Sequence, residues 1–382
     1  MMRITGRSLP HLLLIVVTVA AFSLDNTVLR VGAVAYAVAY SVLLGGAALG
    51  TSRQFASFAI AMSVAVTVGM MFNLVQIGSS LLYHATVAMV TVGTGFVLER
   101  VDRRRLLRAA QTALLAYQAL LVLQIARGGM TIEGLVLPGS ASSTNLVSAI
   151  LIVLQLLHCV SYFRVFGRAP ILLPAISLAL AIPAKGRSGI ILLAVLFTIG
   201  VVQLLLHRTT KRALIGSLVG AVVMAVLGVR YGAVMMDVIA TTRLVHGFAD
   251  ESRTTMLSQY LGGLSSWEVF SGGTYRSSPA ILTVIGNPHN SFVRAHYFFG
   301  LPYLLLLGSL VLLAFMSSLA KLRERWYLGA LLAAYCVRGY FDTIAFPSLM
   351  DFVFFYLVFS CLAIARQSVR APEHGIPLVA LR

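Results

Sequence analysis

Apolar runs of about twenty residues, separated by short polar segments, recur along almost the whole chain. A helix rising 1.5 Å per residue needs about that length to cross the hydrocarbon core of a bilayer. Such runs fall near 9–24, 28–49, 54–73, 80–98, 109–126, 145–163, 171–184, 189–206, 213–229, 295–319, 327–340 and 347–365. The runs at 171–184 and 327–340 are short and fit broken or re-entrant segments. The pattern predicts an all-α polytopic integral membrane protein of about 12 transmembrane helices, forming a single transmembrane domain over residues 1–382. No internal repeat is visible, which argues against transporter folds assembled from two related halves. One interval, about 230–290, breaks the rhythm. Structureless loops of that length are uncommon and are usually functional or disordered. This one carries Phe248, Tyr260, Trp267, Phe270 and Tyr275, so short helices lying on the outer membrane surface are expected there.

Composition narrows the class further. Hydrophobic residues make up 59% and charged residues 11% of the chain, where a soluble domain carries about 25% charged residues. No phosphate-binding GxxxxGK[ST] segment and no strand followed by GxGxxG occurs, so no nucleotide engine is expected. The formal net charge is +17. In a soluble protein that excess points to nucleic acid; here the cations lie in short loops between apolar runs, and membrane orientation explains them without a nucleic-acid partner. Arg3 and Arg7 before the run Leu9 to Leu24 look like a signal peptide, but the many runs that follow make it a retained first helix. Cys159, Cys336 and Cys361 all lie in apolar runs with no metal-ligand spacing, and are expected to be packing residues.

With the N-terminus inside, alternate loops collect 19 of the 29 cations, and both termini are then cytoplasmic. The other ten, among them Arg30, Lys185, Arg187, Arg253, Arg276 and Arg294, fall outside or near outer helix ends. The positive-inside bias disfavours them there, so a function is expected to retain some of them.

Three groups on that side carry candidate chemistry. In Lys185-Gly186-Arg187-Ser188-Gly189, glycines beside two cations open a helix, which suits an anion approaching the backbone N–H groups; the plainer reading is a turn whose cations reach lipid headgroups. In Asp250-Glu251-Ser252-Arg253, an N-terminal cap would place Arg253 in a first helical turn, where the dipole does not favour a cation. An anionic ligand explains that placement, and so does a local ion pair with Asp250 or Glu251. In Gly286-Asn287-Pro288-His289-Asn290-Ser291, His289 can take a proton near neutral pH; taken alone, a loop histidine is usually just solvated. His296, within the following helix, is expected to be structural. No D-x-D pattern and no zinc-ligand spacing occurs on that side, so neither metal nor any other cofactor is expected.

These residues resemble a known family. The outer loop ending in His289-Asn290, then a helix with Gly300-Leu301-Pro302, looks like the O-antigen ligase and O-antigen (exopolysaccharide) polymerase superfamily of membrane glycan transferases. Gly186-Arg187-Ser188-Gly189, then Arg253 with Trp267 and Gly272-Gly273, and Ser143-Thr144-Asn145 resemble further family segments in the same order. Two departures stand out: Lys185-Gly186 replaces a Thr/Ser-rich stretch, and Gly272-Gly273 replaces a G-x-G. The resemblance covers about residues 130–320 and implies a bacterial inner-membrane protein whose 230–290 loop is periplasmic.

It also implies a glycosyltransferase moving a glycan from a polyprenyl-diphosphate-linked oligosaccharide donor to the hydroxyl of a glycan or lipid-linked acceptor. The chemistry agrees. Arg forks bind phosphate bidentately and remain charged, so Arg187 and Arg253 are the candidates to stabilise the departing diphosphate. Arg276, Arg294 and Lys185 are weaker substrate-binding candidates. His289 fits the base for the acceptor hydroxyl, with Asn290 orienting it or holding a sugar hydroxyl. Ligation and polymerisation are both open. The alternative class is a transporter or flippase of the same lipid-linked glycans. It should place charges mid-span, where Asp351 is the main candidate; a purely scaffolding protein would leave the outer cations unexplained.

Overall fold

The computed structural model describes residues 8–24, 26–127, 130–131, 134–135, 144–183, 187–206, 251–283, 287–319 and 322–369. Eight helices come first: α1 (Leu9–Ser23), α2 (Thr27–Thr51), α3 (Arg53–Ile77), α4 (Ser79–Arg100), α5 (Arg103–Ala126), α6 (Thr144–Phe166), α7 (Leu172–Ala181) and α8 (Arg187–Leu206). Three short helices follow: α9 (Glu251–Gly262), α10 (Ser266–Ser271) and α11 (Pro279–Leu282), with a 3-10 turn at Tyr275–Ser277. The last three are α12 (Ser291–Leu319), α13 (Leu322–Phe341) and α14 (Asp351–Val369). A two-residue antiparallel ladder, Met130–Thr131 against Gly134–Leu135, is the only sheet among the described residues.

Eleven of the apolar runs read from the sequence fall on these helices. The run at 213–229 lies outside the described residues. Six helices are long and apolar enough to cross a membrane by length and composition, and α1, α7 and parts of α3 and α14 are shorter apolar helices. The protein is thus a multi-pass membrane protein, helical among the described residues apart from that short ladder.

Burial sorts the helices into layers. The middle of α6 and the segment Phe352 to Phe359 of α14 are buried on every side, as expected of helices apolar all round. At the rim, α2 exposes Val28, Val31, Val42 and Leu43, a face that suits lipid. Some buried polar groups are paired across helices. Gln118 of α5 donates to Ser177 of α7 at 2.9 Å, and Ser177 donates to Gln155 of α6 at 2.7 Å.

Side-chain contacts fix which helix ends lie together. At one end, Arg164 donates to Glu99 at 2.7 Å, Arg103 reaches the Arg164 carbonyl and Arg100 reaches Ser52. Arg104, Arg105 and Arg108 lie in the same first turns of α5. At the other end, Arg338 of α13 meets Ser188 of α8, and Ser291 of α12 meets the Asp342 carbonyl. The second end carries α9, α10 and α11.

A kink in α12 joins these short helices to the bundle. Gly300 lies at φ 66°, ψ −166°, and Pro302 follows it. A proline has no N–H, so the carbonyl four residues earlier loses its helical donor. That carbonyl belongs to Phe298, and Asn73 of α3 donates to it at 3.2 Å. The same Asn73 amide donates to the Ser271 carbonyl at the end of α10. Gly272 (φ 91°) and Gly300 press backbone on backbone here, and a Cβ on Gly300 would meet the Phe270 carbonyl.

Candidate functional site

The site grows from the segment that enters α12. Asn287 Oδ1 accepts from the His289 N–H at 2.9 Å, an Asx turn that holds His289 at φ 47°. Non-glycine residues adopt that region sparingly, histidine more readily than most, and such conformations cluster at functional sites. Asn290 follows as the helix cap. Its Oδ1 accepts from the Phe292 N–H at 2.9 Å and the Val293 N–H at 3.2 Å, satisfying donors that α12 leaves open. That cap commits the amide oxygen of Asn290 and leaves its NH₂ for any other partner.

Opposite this turn stands the first turn of α9. Arg253 lies over the Phe341 ring, 5.9 Å from its centroid. Arg253, His289 and Asn290 line one cavity of about 210 Å³. Phe341, Tyr340 and Met256 supply much of its apolar wall. Two of the residues most clearly marked by sequence therefore share a cavity, although a long stretch of chain separates them.

Behind the cavity lies a buried guanidinium. Arg338 is 1% exposed and donates to Asp342 Oδ2 and Ser188 Oγ, each at 2.5 Å. It ties the start of α8 to the end of α13. Its charge is paired with Asp342, and it stands close enough to Arg253 to repel it.

The other expected residues are placed as follows. Arg187 is the first residue of α8, and its neighbour Ser188 is held by Arg338; the Arg187 side chain, Lys185 and Gly186 lie outside the described residues. So do Asp250 and the side chain of Glu251, the expected ion-pair partners of Arg253, and Ser143 with the side chains of Thr144 and Asn145. Residues 230–250 and 284–286 of the long loop are likewise outside them. Arg276 is exposed on the 3-10 turn and is not among the residues lining the Arg253 cavity. Arg294 points elsewhere: it donates to the Thr343 carbonyl at 2.9 Å and lines a second cavity. Trp267 is 55% exposed beside Phe270 on α10, on the surface rather than in the cavity. His296 is held on both nitrogens, by the Tyr260 hydroxyl and the Val269 carbonyl, each at 2.8 Å, and connects α9 and α10 to α12. Asp351 is fully buried and accepts from Tyr335 and from the N–H groups of Phe346 and Ser348. It organises the turn between α13 and α14.

Sequence reasoning missed Tyr340 and Phe341 as cavity walls, Asp342 as the partner of Arg338, and Asn73. Arg338 is one of the ten cations that the sequence places outside or near outer helix ends, and nothing else there marks it. No group of three or more metal-ligating side chains occurs among the described residues.

No family model matches the chain, and no curated protein matches it. A chain from a solved structure described as "Structural coordination of polymerization and crosslinking by a peptidoglycan synthase complex" aligns over 86% of this chain and 96% of its own length. The identity is 16% and the TM-score 0.34, which does not establish a shared fold.

Proposed function

We propose that the protein is a membrane glycosyltransferase, moving a glycan from a polyprenyl-diphosphate carrier to an acceptor hydroxyl at the outer face of a bacterial inner membrane. The observation that carries this reading is the shared cavity of Arg253 and His289 at one end of the bundle. A cation and a proton acceptor facing one space are what the transfer requires. The acceptor O–H loses its proton to His289 as its oxygen bonds to the anomeric carbon, and the bond from that carbon to the diphosphate oxygen breaks. The diphosphate leaves as an anion and needs no proton of its own. Arg253 stabilises the charge that grows on it, an interaction stronger in the transition state than before it. Arg187, at the start of α8, is proposed as the second fork on the diphosphate, and Asn290 positions His289. The two arginines replace the divalent cation that other transferases place on a diphosphate. Phe341 and Tyr340 exclude water from the reacting bond, which strengthens the charge interaction.

The test is glycan transfer by purified protein from a polyprenyl-diphosphate donor, with and without chelator, and with His289→Gln. The expected outcome is activity that survives the chelator and falls about 10²–10⁴-fold in His289→Gln, with donor binding kept. Abolition by the chelator with rescue by Mg²⁺ or Mn²⁺ would overturn the metal-free mechanism. Full activity of His289→Gln would remove the base.

A further inference from the structure

A second, larger cavity of about 530 Å³ lies across the 287–294 segment from the first. It is lined by Arg30 of α2, Tyr83 and His84 of α4, Arg294 of α12, and Thr343 and Ser348 of the α13–α14 turn. Its volume is in the range of small-molecule sites. Two arginines face it, and none of its lining residues is acidic among those described. Asp351, whose charge reaches Arg294, is held by Tyr335, Phe346 and Ser348 outside the cavity wall. Arg294 is fixed in place by the Thr343 carbonyl and by Phe298, whose ring centroid is 5.9 Å away. His84 is 9% exposed, and its Nδ1 has no hydrogen-bond partner among the described residues. Buried polar atoms are normally satisfied, so a polar ligand at this wall would complete the arrangement. Thr27 and Ser80 add further hydroxyls, Phe22, Val31, Val87 and Leu349 supply an apolar flank, and Val31 is 58% exposed on the lipid-facing rim.

Two cations, one of them held in place, beside hydroxyls and with an apolar flank open to lipid suit an amphiphile with an anionic head. We propose that this cavity binds the phosphate-bearing headgroup of a membrane lipid, Arg30 and Arg294 holding the phosphate and the tail leaving past Val31. The headgroup is either that of a second polyprenyl diphosphate, the acceptor chain, or that of an ordinary anionic phospholipid. The first source rests on the glycosyltransferase reading; the cavity's affinity for the headgroup does not.

Native mass spectrometry of the full-length protein in detergent separates these sources. The probes are polyprenyl diphosphate and phosphatidylglycerol, applied in an Arg253→Ala background so that the first cavity does not report. One lipid per chain is expected to remain bound and to weaken at least tenfold in Arg30→Glu. Val31→Trp, which fills the cavity without removing either arginine, is expected to do the same and controls for misfolding. Loss confined to polyprenyl diphosphate assigns the acceptor chain, and loss confined to phosphatidylglycerol assigns a phospholipid. Binding of both probes unchanged by Arg30→Glu and by Val31→Trp, or no binding of either before mutation, overturns the proposal. None of these outcomes depends on transfer activity.

Discussion

At the scale of single residues, the proposed reaction divides the site into side chains that would touch a substrate and side chains that would aim them. Arg253 belongs to the first group. Its planar fork matches two phosphate oxygens at once, which an ammonium does not. Arg253→Lys is therefore expected to lower kcat/KM at least tenfold while membrane insertion is unchanged, and wild-type kcat/KM in that variant would remove bidentate binding. Asn290 belongs to the second group, because its oxygen caps α12. Asn290→Ala is expected to cost about 1 kcal/mol of stability from the lost cap and to lower kcat through a displaced His289. Asn290→Ser keeps a capping oxygen and is expected to restore most of that kcat. If the serine variant is as slow as the alanine variant, the Asn290 NH₂ contacts substrate directly. His289 and Asn290 were legible because they are adjacent and stand where a loop meets a helix. Phe341 was not: it lies just past an apolar run, and only the fold brings it against Arg253; Asp342 stands four residues after Arg338, a helical spacing that was open to reading and was passed over.

At the scale of elements, the kink of α12 is tied to α10 and α3 through Asn73. The Gly300-Leu301-Pro302 pattern announced a break in the sequence, but nothing there announced its partner. Asn73 sits in the middle of an otherwise apolar run, and a polar residue so placed shows only that some partner exists. Asn73→Leu leaves the carbonyls of Phe298 and Ser271 without that donor, at an expected cost of about 1–3 kcal/mol for buried unpaired groups. The check is a lower midpoint in thermal unfolding in detergent, with α9 and α10 becoming protease-sensitive first. An unchanged midpoint would mean that α10 is held by other contacts. Within α10, Ser265 and Glu268 form a reciprocal capping box, and the Ser265 N–H, then its hydroxyl, holds the Glu268 carboxyl below the usual carboxylate range. A carboxylate depressed in this way stabilises the folded element above its unfolded pKa, and the contribution disappears as pH falls through the lower, folded value. Protease protection of α10 is thus expected to fade on acidification in the wild type and to lose that pH dependence in Glu268→Gln. Protection in the wild type that stays flat down to that range would show the box to be energetically silent.

At the scale of the whole molecule, the separation of charge between the two ends of the bundle is the property most fully visible in advance. Helix existence followed from twenty-residue apolar runs, because length and hydrophobicity alone satisfy a bilayer. Helix neighbours did not, since runs apolar all round show no face; α6 and α14 reveal their central place only by burial. The ends are distinct in the structure: Arg53, Arg100, Arg103, Arg104, Arg105, Arg108 and Arg164 gather at the end away from α9, and Arg30, Arg253, Arg294 and Arg338 at the end beside it. We propose that the first end is cytoplasmic, since that bias sets orientation when counted over short loops. Cysteine labelling with an impermeant reagent reads this directly. Native background is confined to the half-buried Cys336, because Cys159 and Cys361 are buried. Ser258→Cys, on the exposed side of α9, is expected to react in intact cells. Arg104→Cys, in the first turn of α5, is expected to react only after the membrane is opened. Removing one arginine of that cluster leaves most of the charge asymmetry in place, so the substitution does not itself flip the chain. Labelling of Arg104→Cys from outside in intact cells, with Ser258→Cys protected, would invert the orientation. It would put the Arg253 and His289 cavity on the face where sugar-nucleotide donors are found, and would remove the lipid-diphosphate reaction with it.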